Sequence, residues 1–149
     1  MAGNTTPVWA KKGNTGSVKI TAANTKNDGT GTIGTDIFLA LTADATNGAF
    51  VSRVRFTASA SVAATATTAT VARVYISSKA AGATTNADTF LWSEVACPLV
   101  TADQTTTATY PVEIGLGFAL PPGWTILVSM HHAPAANTSW QATVIGGDY

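Results

Sequence analysis

Leu120-Pro-Pro-Gly-Trp-Thr-Ile-Leu-Val-Ser-Met130 is the stretch that decides the fold class. Pro121, Pro122 and Gly123 force a tight reversal, because proline fixes φ and cannot donate to a strand ladder while glycine accepts a positive φ. Beyond the reversal, Trp124, Ile126, Val128 and Met130 occupy alternate positions, the period of a β-strand, and so share one face. The same turn interrupts the longest apolar stretch, Phe118 to Met130, which is therefore no membrane span.

Outward from this hairpin signal the pattern repeats. Short β-prone runs separated by turn residues cover Asp36 to Leu41, Phe50 to Thr57, Thr70 to Ser77, Thr89 to Cys97, Thr107 to Ile114, Trp124 to His131 and Thr138 to Ile145. None carries a sustained helical stripe, so the expected fold is all-β, a sandwich or barrel. Alternation places Phe50, Val54 and Phe56 on one face with Arg53 and Arg55 on the other, and opposes Val74 and Ile76 to Arg73 and Tyr75. The Thr89 run is apolar on both faces, Phe90 and Trp92 with Glu94 on one side and Leu91 and Val95 on the other, so one of them must meet a second surface. Asn47-Gly48 and Asp28-Gly29 mark turns, Ala80 to Asp88 an exposed loop. Ala58 to Ala69 fits either a strand of small side chains or a connection.

The first 35 residues read differently. They are rich in Gly, Asn, Thr and Lys, and only Trp9 and the alternation from Ser17 to Ala22 suggest order. The expectation is a flexible N-terminal arm over residues 1–35 and a β-sandwich domain over 36–149. Lys11, Lys12, Lys19 and Lys26 against Asp28 make the arm net +3 and the body net −3. A basic arm on an acidic body suits a protein partner. Four scattered lysines are too sparse for a nucleic-acid footprint, so no nucleic acid is expected. Nor is a membrane, since MAGNTTPVWAKKG lacks the apolar core of a secretory signal.

Composition narrows the function. Charged residues make up 11% of the 149 residues, and eight basic side chains balance eight acidic ones. A near-neutral surface of Thr, Ala, Ser, Asn and Gly has little self-repulsion and favours association. Cys97 is the single cysteine, so neither a disulfide nor a cysteine zinc cluster is available; next to Pro98 it reads as a buried small hydrophobe. His131-His132 invites a metal test, yet neighbours in a strand point to opposite faces and no carboxylate follows closely, so no metal is expected. The acidic residues Asp36, Asp44, Asp88, Asp103, Glu113 and Asp148 sit mostly where turns need them. Glu94 is mid-strand among apolar residues and needs an arginine; Arg73 is the assigned partner in a structural ion pair, with Arg53 and Arg55 the other candidates. Nucleotide, hydrolase and metal motifs are absent from the sequence. No catalytic residue and no cofactor is assigned. Exposed tryptophan among Trp9, Trp92, Trp124 and Trp140 would suit a sugar ring as well as a packed interface.

Four stretches, Ala72-Arg-Val-Tyr-Ile-Ser77, Phe90-Leu-Trp-Ser-Glu-Val-Ala-Cys-Pro98, Leu120 to Met130 and Val144-Ile-Gly-Gly-Asp-Tyr149, make the region from Asp36 to Tyr149 resemble small jelly-roll-like proteins encoded among tailed-bacteriophage structural genes. The resemblance implies a non-enzymatic head decoration, or cement, protein on the outer surface of an assembled capsid, whose partner is the major capsid protein. It does not cover the stretch before Asp36. The working expectation is an antiparallel jelly-roll-like β-sandwich, assembled in the host cytoplasm as a cyclic homo-oligomer, a trimer favoured. Its contacts to capsid and neighbour are assigned to Trp9, Lys11, Lys12, Phe90 and Trp92. The rival expectations are a tail-fibre or spike module that binds a host surface glycan and, more remotely, a polysaccharide hydrolase fragment.

Overall fold

A computed structural model of the chain describes residues 11–62, 65–104 and 111–149. They contain strands and no helix: β1 (Lys12–Ile20), β2 (Gly31–Thr32), β3 (Phe38–Thr42), β4 (Ala49–Ala60), β5 (Thr65–Ala66), β6 (Thr70–Ser77), β7 (Ala83–Thr84), β8 (Thr89–Cys97), β9 (Thr101–Ala102), β10 (Val112–Leu120), β11 (Thr125–Met130) and β12 (Thr138–Asp148). The eight long strands form two four-stranded antiparallel sheets, ordered β1-β12-β4-β10 and β3-β11-β6-β8. First pairs with last, second with second-last, and so inward to the β6–β8 hairpin: β1 with β12, β3 with β11, β4 with β10. A long hairpin wound in this nested order is a jelly roll. The sandwich expectation holds.

Between the sheets lie Ile20, Phe38, Val51, Val54, Phe56, Val74, Ile126, Val128, Met130, Trp140 and Val144, all buried. At about 1.5–3 kcal/mol for each large apolar side chain removed from water, this layer is the main source of stability. Ile126, Val128 and Met130 share it, and Trp124 packs against it half-buried, as their alternation requires.

Four expectations are corrected. First, residues 12–35 are no free arm. β1 pairs with β12 over its whole length, Lys12 to Asp148 through Ile20 to Trp140. Its inward positions are Asn14, Gly16, Val18 and Ile20; the first two are too small and polar to register as a buried strand, while the last two belong to the alternation from Ser17 to Ala22. A methyl built on Gly16 would overlap the carbonyl oxygen of Ala40, a residue that the β3–β11 register skips. The two backbones therefore touch and seal that side of the sandwich, with Asn14 Nδ2 adding donation to the Thr42 carbonyl at 3.1 Å. The rest of the stretch runs over the outer face of the second sheet and covers a small cluster of Ile37, Tyr75 and Leu127.

Second, Phe50 is exposed at 40%, although Val54 and Phe56 are fully buried. The β4–β12 register skips Ser52, and one extra residue moves Phe50 to the opposite face. Third, the strand expected over Thr107 to Ile114 is β10, Val112–Leu120; residues 105–110 lie outside the described residues. Fourth, the Ala80 to Asp88 loop contains β7, which pairs with β2. Ala58 to Ala69 divides: Ala58 to Ala60 end β4, and β5 pairs with β9.

Candidate contact surface

The sandwich has two lateral sides, and they are finished differently. On one, β1 and β3 meet backbone to backbone at Gly16. On the other, β8 and β10 are the edge strands, and they approach through side chains: the rings of Trp92 and Phe118 stack with centroids 4.5 Å apart and planes tilted by 50°. Offset aromatic contacts of this kind contribute about 0.5–1.5 kcal/mol beyond area burial.

A bulge shapes this edge. Val74 pairs with Ser93 and Tyr75 with Leu91, so Trp92 is left out of the ladder. The strict alternation expected for β8 is therefore broken at Trp92. Phe90, Leu91 and Trp92 all reach the surface, exposed at 49%, 38% and 48%. Opposite them β10 is irregular as well, with a register shift between Gly115 and Phe118 and a positive φ of 68° at Gly117. Contiguous exposed apolar side chains of this size are uncommon on an isolated soluble domain.

The charges along the edge are internally balanced. Glu94 of β8 lies opposite Arg73 of β6, with Arg73 Nε donating to Glu94 Oε1 at 2.6 Å. Glu113 of β10 lies opposite Arg55 of β4 at 3.7 Å. Arg73 is buried, and its Nη1 also donates to the carbonyls of Asn24 at 2.8 Å and Lys26 at 3.0 Å. A guanidinium with this many acceptors suits a structural post, and each bond satisfies a donor that burial would otherwise penalise.

The remaining assigned residues lie elsewhere. Lys11 and Lys12 are exposed at the start of β1, where the Lys11 amide donates to the Asp148 carbonyl at 2.8 Å. That strand is the edge of its sheet remote from β10, so the fold does not bring these lysines to Phe90 and Trp92. Trp9 lies outside the described residues. Trp140 is fully buried and Trp124 half-buried, which leaves Trp92 as the half-exposed tryptophan among the described residues. The bulge that bares Trp92 and Leu91 together had no signal in the hydropathy pattern.

The other chemistry-bearing groups serve the fold. Cys97 is buried, and burial pushes its thiol up to about 11, away from reactivity. Asp28, Asp44 and Asp88 accept hydrogen bonds from Thr30, from Thr46 and Asn47, and from Thr85, within their own turns. These bonds hold all three carboxyls below the usual range, Asp88 at about 2. A general acid needs the opposite displacement. The His131 and His132 rings meet edge to face at 4.6 Å. Among the described residues no group of three or more His, Cys, Asp or Glu could hold a metal ion. An open recess of about 370 Å³, lined by Lys19, Thr21, Ser59, Ser61, Asn137 and Ser139 among others, lies away from the aromatic edge.

No family model matches the chain, and no curated protein does. Among solved structures the chain is similar to a chain of the cyanophage Pam1 capsid asymmetric unit, at 18% identity over 98% of this chain and 91% of that chain, with a TM-score of 0.42.

Proposed function

We propose that this protein is a non-enzymatic virion structural protein, a decoration protein that binds the outer surface of an assembled phage capsid and stabilises it. The observation that carries the proposal is the bared edge of Phe90, Leu91 and Trp92. It joins a rigid, nested β body to an apolar contact strip whose carboxylates, Glu94 and Glu113, already have arginine partners. The four stretches that resemble phage structural proteins lie on β6, β8, the β10–β11 turn with β11, and the end of β12, so the resemblance follows the frame of the roll. The major capsid protein is the proposed partner, and a cyclic homo-oligomer, a trimer favoured, is the proposed form. Repeated weak contacts over a symmetric lattice give such a protein its avidity. Phe90 and Trp92 form the proposed contact strip; Lys11 and Lys12, on the opposite side of the body, and Trp9 are proposed for a second contact.

The test is co-sedimentation of the purified protein with capsids stripped of accessory proteins, alongside native mass spectrometry. Wild type should sediment with the particles and raise their resistance to heat. Phe90→Ser and Trp92→Ser should stay folded and fall into the supernatant; binding unchanged in both overturns the strip. Deletion of residues 1–10 leaves β1 intact and asks the same of the second contact. A half-exposed Trp92 also suits a sugar ring, so saturable binding to host polysaccharide that Trp92→Ser abolishes would favour the tail-fibre reading instead.

A further inference from the structure

The recess of about 370 Å³ opens on the outer face of the first sheet, because Lys19, Ser59 and Ser139 alternate with the buried Ile20, Ala58 and Trp140 on β1, β4 and β12. Ser139 of β12 lies opposite Ser59 of β4, and Lys19 and Thr21 come from β1 and the residue just beyond it. Backbone fixes the remaining wall. Asn137 alone among the described non-glycine residues has a positive φ, 62°, a conformation that asparagine tolerates better than most. Its carbonyl accepts from the Ser61 amide at 2.8 Å and from the Ser61 hydroxyl at 3.3 Å, and the neighbouring Thr138 amide donates to the Ala135 carbonyl at 3.0 Å. The shape of the recess is therefore built in, as it is in most small-molecule sites.

Donors outnumber acceptors there. Ser59 Oγ accepts from Gln141 Nε2 at 3.1 Å and shares a bond of 2.9 Å with Ser139 Oγ. The two hydroxyls carry two protons and share one bond, so whichever donates, one proton of the pair has no acceptor among the described residues. Lys19 adds an ammonium that makes neither a hydrogen bond nor an ion pair among the described residues. No aspartate or glutamate lines the recess, and Glu113, on the far strand of the same sheet, faces Arg55 instead. A positive charge with hydroxyl donors and no counter-ion calls for an oxyanion. The volume is that of a small-ligand site, so a bare carboxylate would leave most of it to water. One ammonium matches one negative charge, and serine hydroxyls with the Asn137 amide match neutral hydroxyl groups.

We propose that this recess binds a uronic acid unit, a sugar ring that carries one carboxylate, with Lys19 Nζ pairing the carboxylate and Ser59, Ser139 and Asn137 taking the ring hydroxyls. A neutral hexose gives Lys19 no partner, and a lone carboxylate gives the serines and Asn137 none, so the two halves of the site select together. The recess shares no residue with the aromatic edge of Phe90, Leu91 and Trp92, so its occupancy does not depend on attachment to a particle.

Titration of the isotope-labelled full chain with glucuronate, followed by amide NMR shifts, tests this. The amides of Lys19, Ser59, Asn137 and Ser139 should shift saturably, with half-saturation near about 1 mM, the affinity of about a dozen non-hydrogen atoms at ordinary ligand efficiency. Glucose should give no saturable shift up to about 50 mM, and acetate should need at least about tenfold more than glucuronate. Lys19→Gln, a change at an exposed position, should weaken glucuronate binding at least about tenfold, the loss of one charge-assisted bond, with the remaining amides unmoved as evidence of an intact fold. Arg53→Gln, exposed on the same sheet face outside the recess, should stay within about twofold of wild type. Trp92→Ser should also leave binding unchanged, which separates this site from a sugar stacked on Trp92. Absence of saturable shifts at the four amides overturns the proposal. So do equal losses for Lys19→Gln and Arg53→Gln, which would mean diffuse attraction to a cationic face, and equal half-saturation by acetate, which would make the recess a seat for a bare carboxylate such as a protein side chain.

Discussion

Replacing Arg73 by methionine should be the most damaging single change outside the apolar core. Methionine keeps much of the stem's volume and removes the guanidinium. Glu94 then loses the donor at 2.6 Å, and the Asn24 and Lys26 carbonyls lose theirs at 2.8 and 3.0 Å. Truncating one partner of a buried pair costs about 3–5 kcal/mol. Two features of this site pull the figure toward the lower end: the Glu94 side chain is 37% exposed, so water can reach it, and Lys26 keeps the Tyr75 hydroxyl. The expected loss is about 3 kcal/mol, which for a domain of this size lowers Tm by about 6–12 °C. Urea unfolding followed by tryptophan fluorescence should show a lower midpoint with the m-value unchanged, since the surface exposed on unfolding is the same. Glu94→Gln, which leaves the guanidinium its two carbonyls, should cost only about 1 kcal/mol. A loss below about 1 kcal/mol for Arg73→Met, or equal losses for the two variants, would refute the view of Arg73 as the post that carries the segment and Glu94 together.

Two further outcomes follow from the backbone and from the turns. Gly16→Ala should cost about 1–3 kcal/mol, because the added methyl meets the Ala40 carbonyl and forces β1 away from β3, whereas Gly13→Ala, with open space at that position, should be neutral or slightly stabilising; equal midpoints in urea would mean that the β1–β3 seal is not a backbone contact. The Asp88 carboxyl accepts from the Thr85 amide and hydroxyl and the Thr89 hydroxyl, each at 2.9 Å, and is held at about 2. A carboxyl depressed in the folded state contributes stability above its ordinary value of about 4 and loses it as pH falls toward about 2, so Asp88→Asn should flatten the acid limb of a thermal-melt profile over that interval; an unchanged limb would remove Asp88 from the account.

What could be read from the sequence was what period alone determines. The reversal at Pro121 to Gly123 and the faces of β6 and β11 follow from alternation, because both strands run without interruption through their pairing with each other. Alternation fails where the ladder skips a residue. Ser52 in β4 and Trp92 in β8 each insert one residue, and each turns an aromatic, Phe50 or Phe90 with its neighbours, out of the position that strict period two assigns. β1 was legible only in its second half, where Val18 and Ile20 alternate; in its first half the inward Asn14 and Gly16 serve closeness of backbone rather than apolar area, and Gly16 contributes by what it lacks. The Arg73 and Glu94 pairing was legible because a carboxylate amid apolar residues on a strand has few ways to be satisfied. The carbonyls of Asn24 and Lys26 carry no residue-type signal and emerge only once the segment is laid on the sheet.

The two sides of the roll bear on the proposed function through what each leaves unsatisfied. Where β1 meets β3, the backbones touch at Gly16 and Asn14 donates to the Thr42 carbonyl and to Asp148, with no large apolar side chain left exposed among the described residues, so nothing there calls for a partner strip of apolar residues. Where β8 meets β10, the rings of Trp92 and Phe118 touch, and Trp92 remains half in water. Pairing Glu94 and Glu113 with arginines of the same chain keeps them from imposing a charge requirement on whatever covers the edge. A partner there needs apolar shape rather than opposite charge, and binding through this strip should depend only weakly on ionic strength. A strongly salt-dependent attachment would instead assign the contact to the exposed lysines at the start of β1, and the effect of salt on co-sedimentation separates the two sides of the molecule.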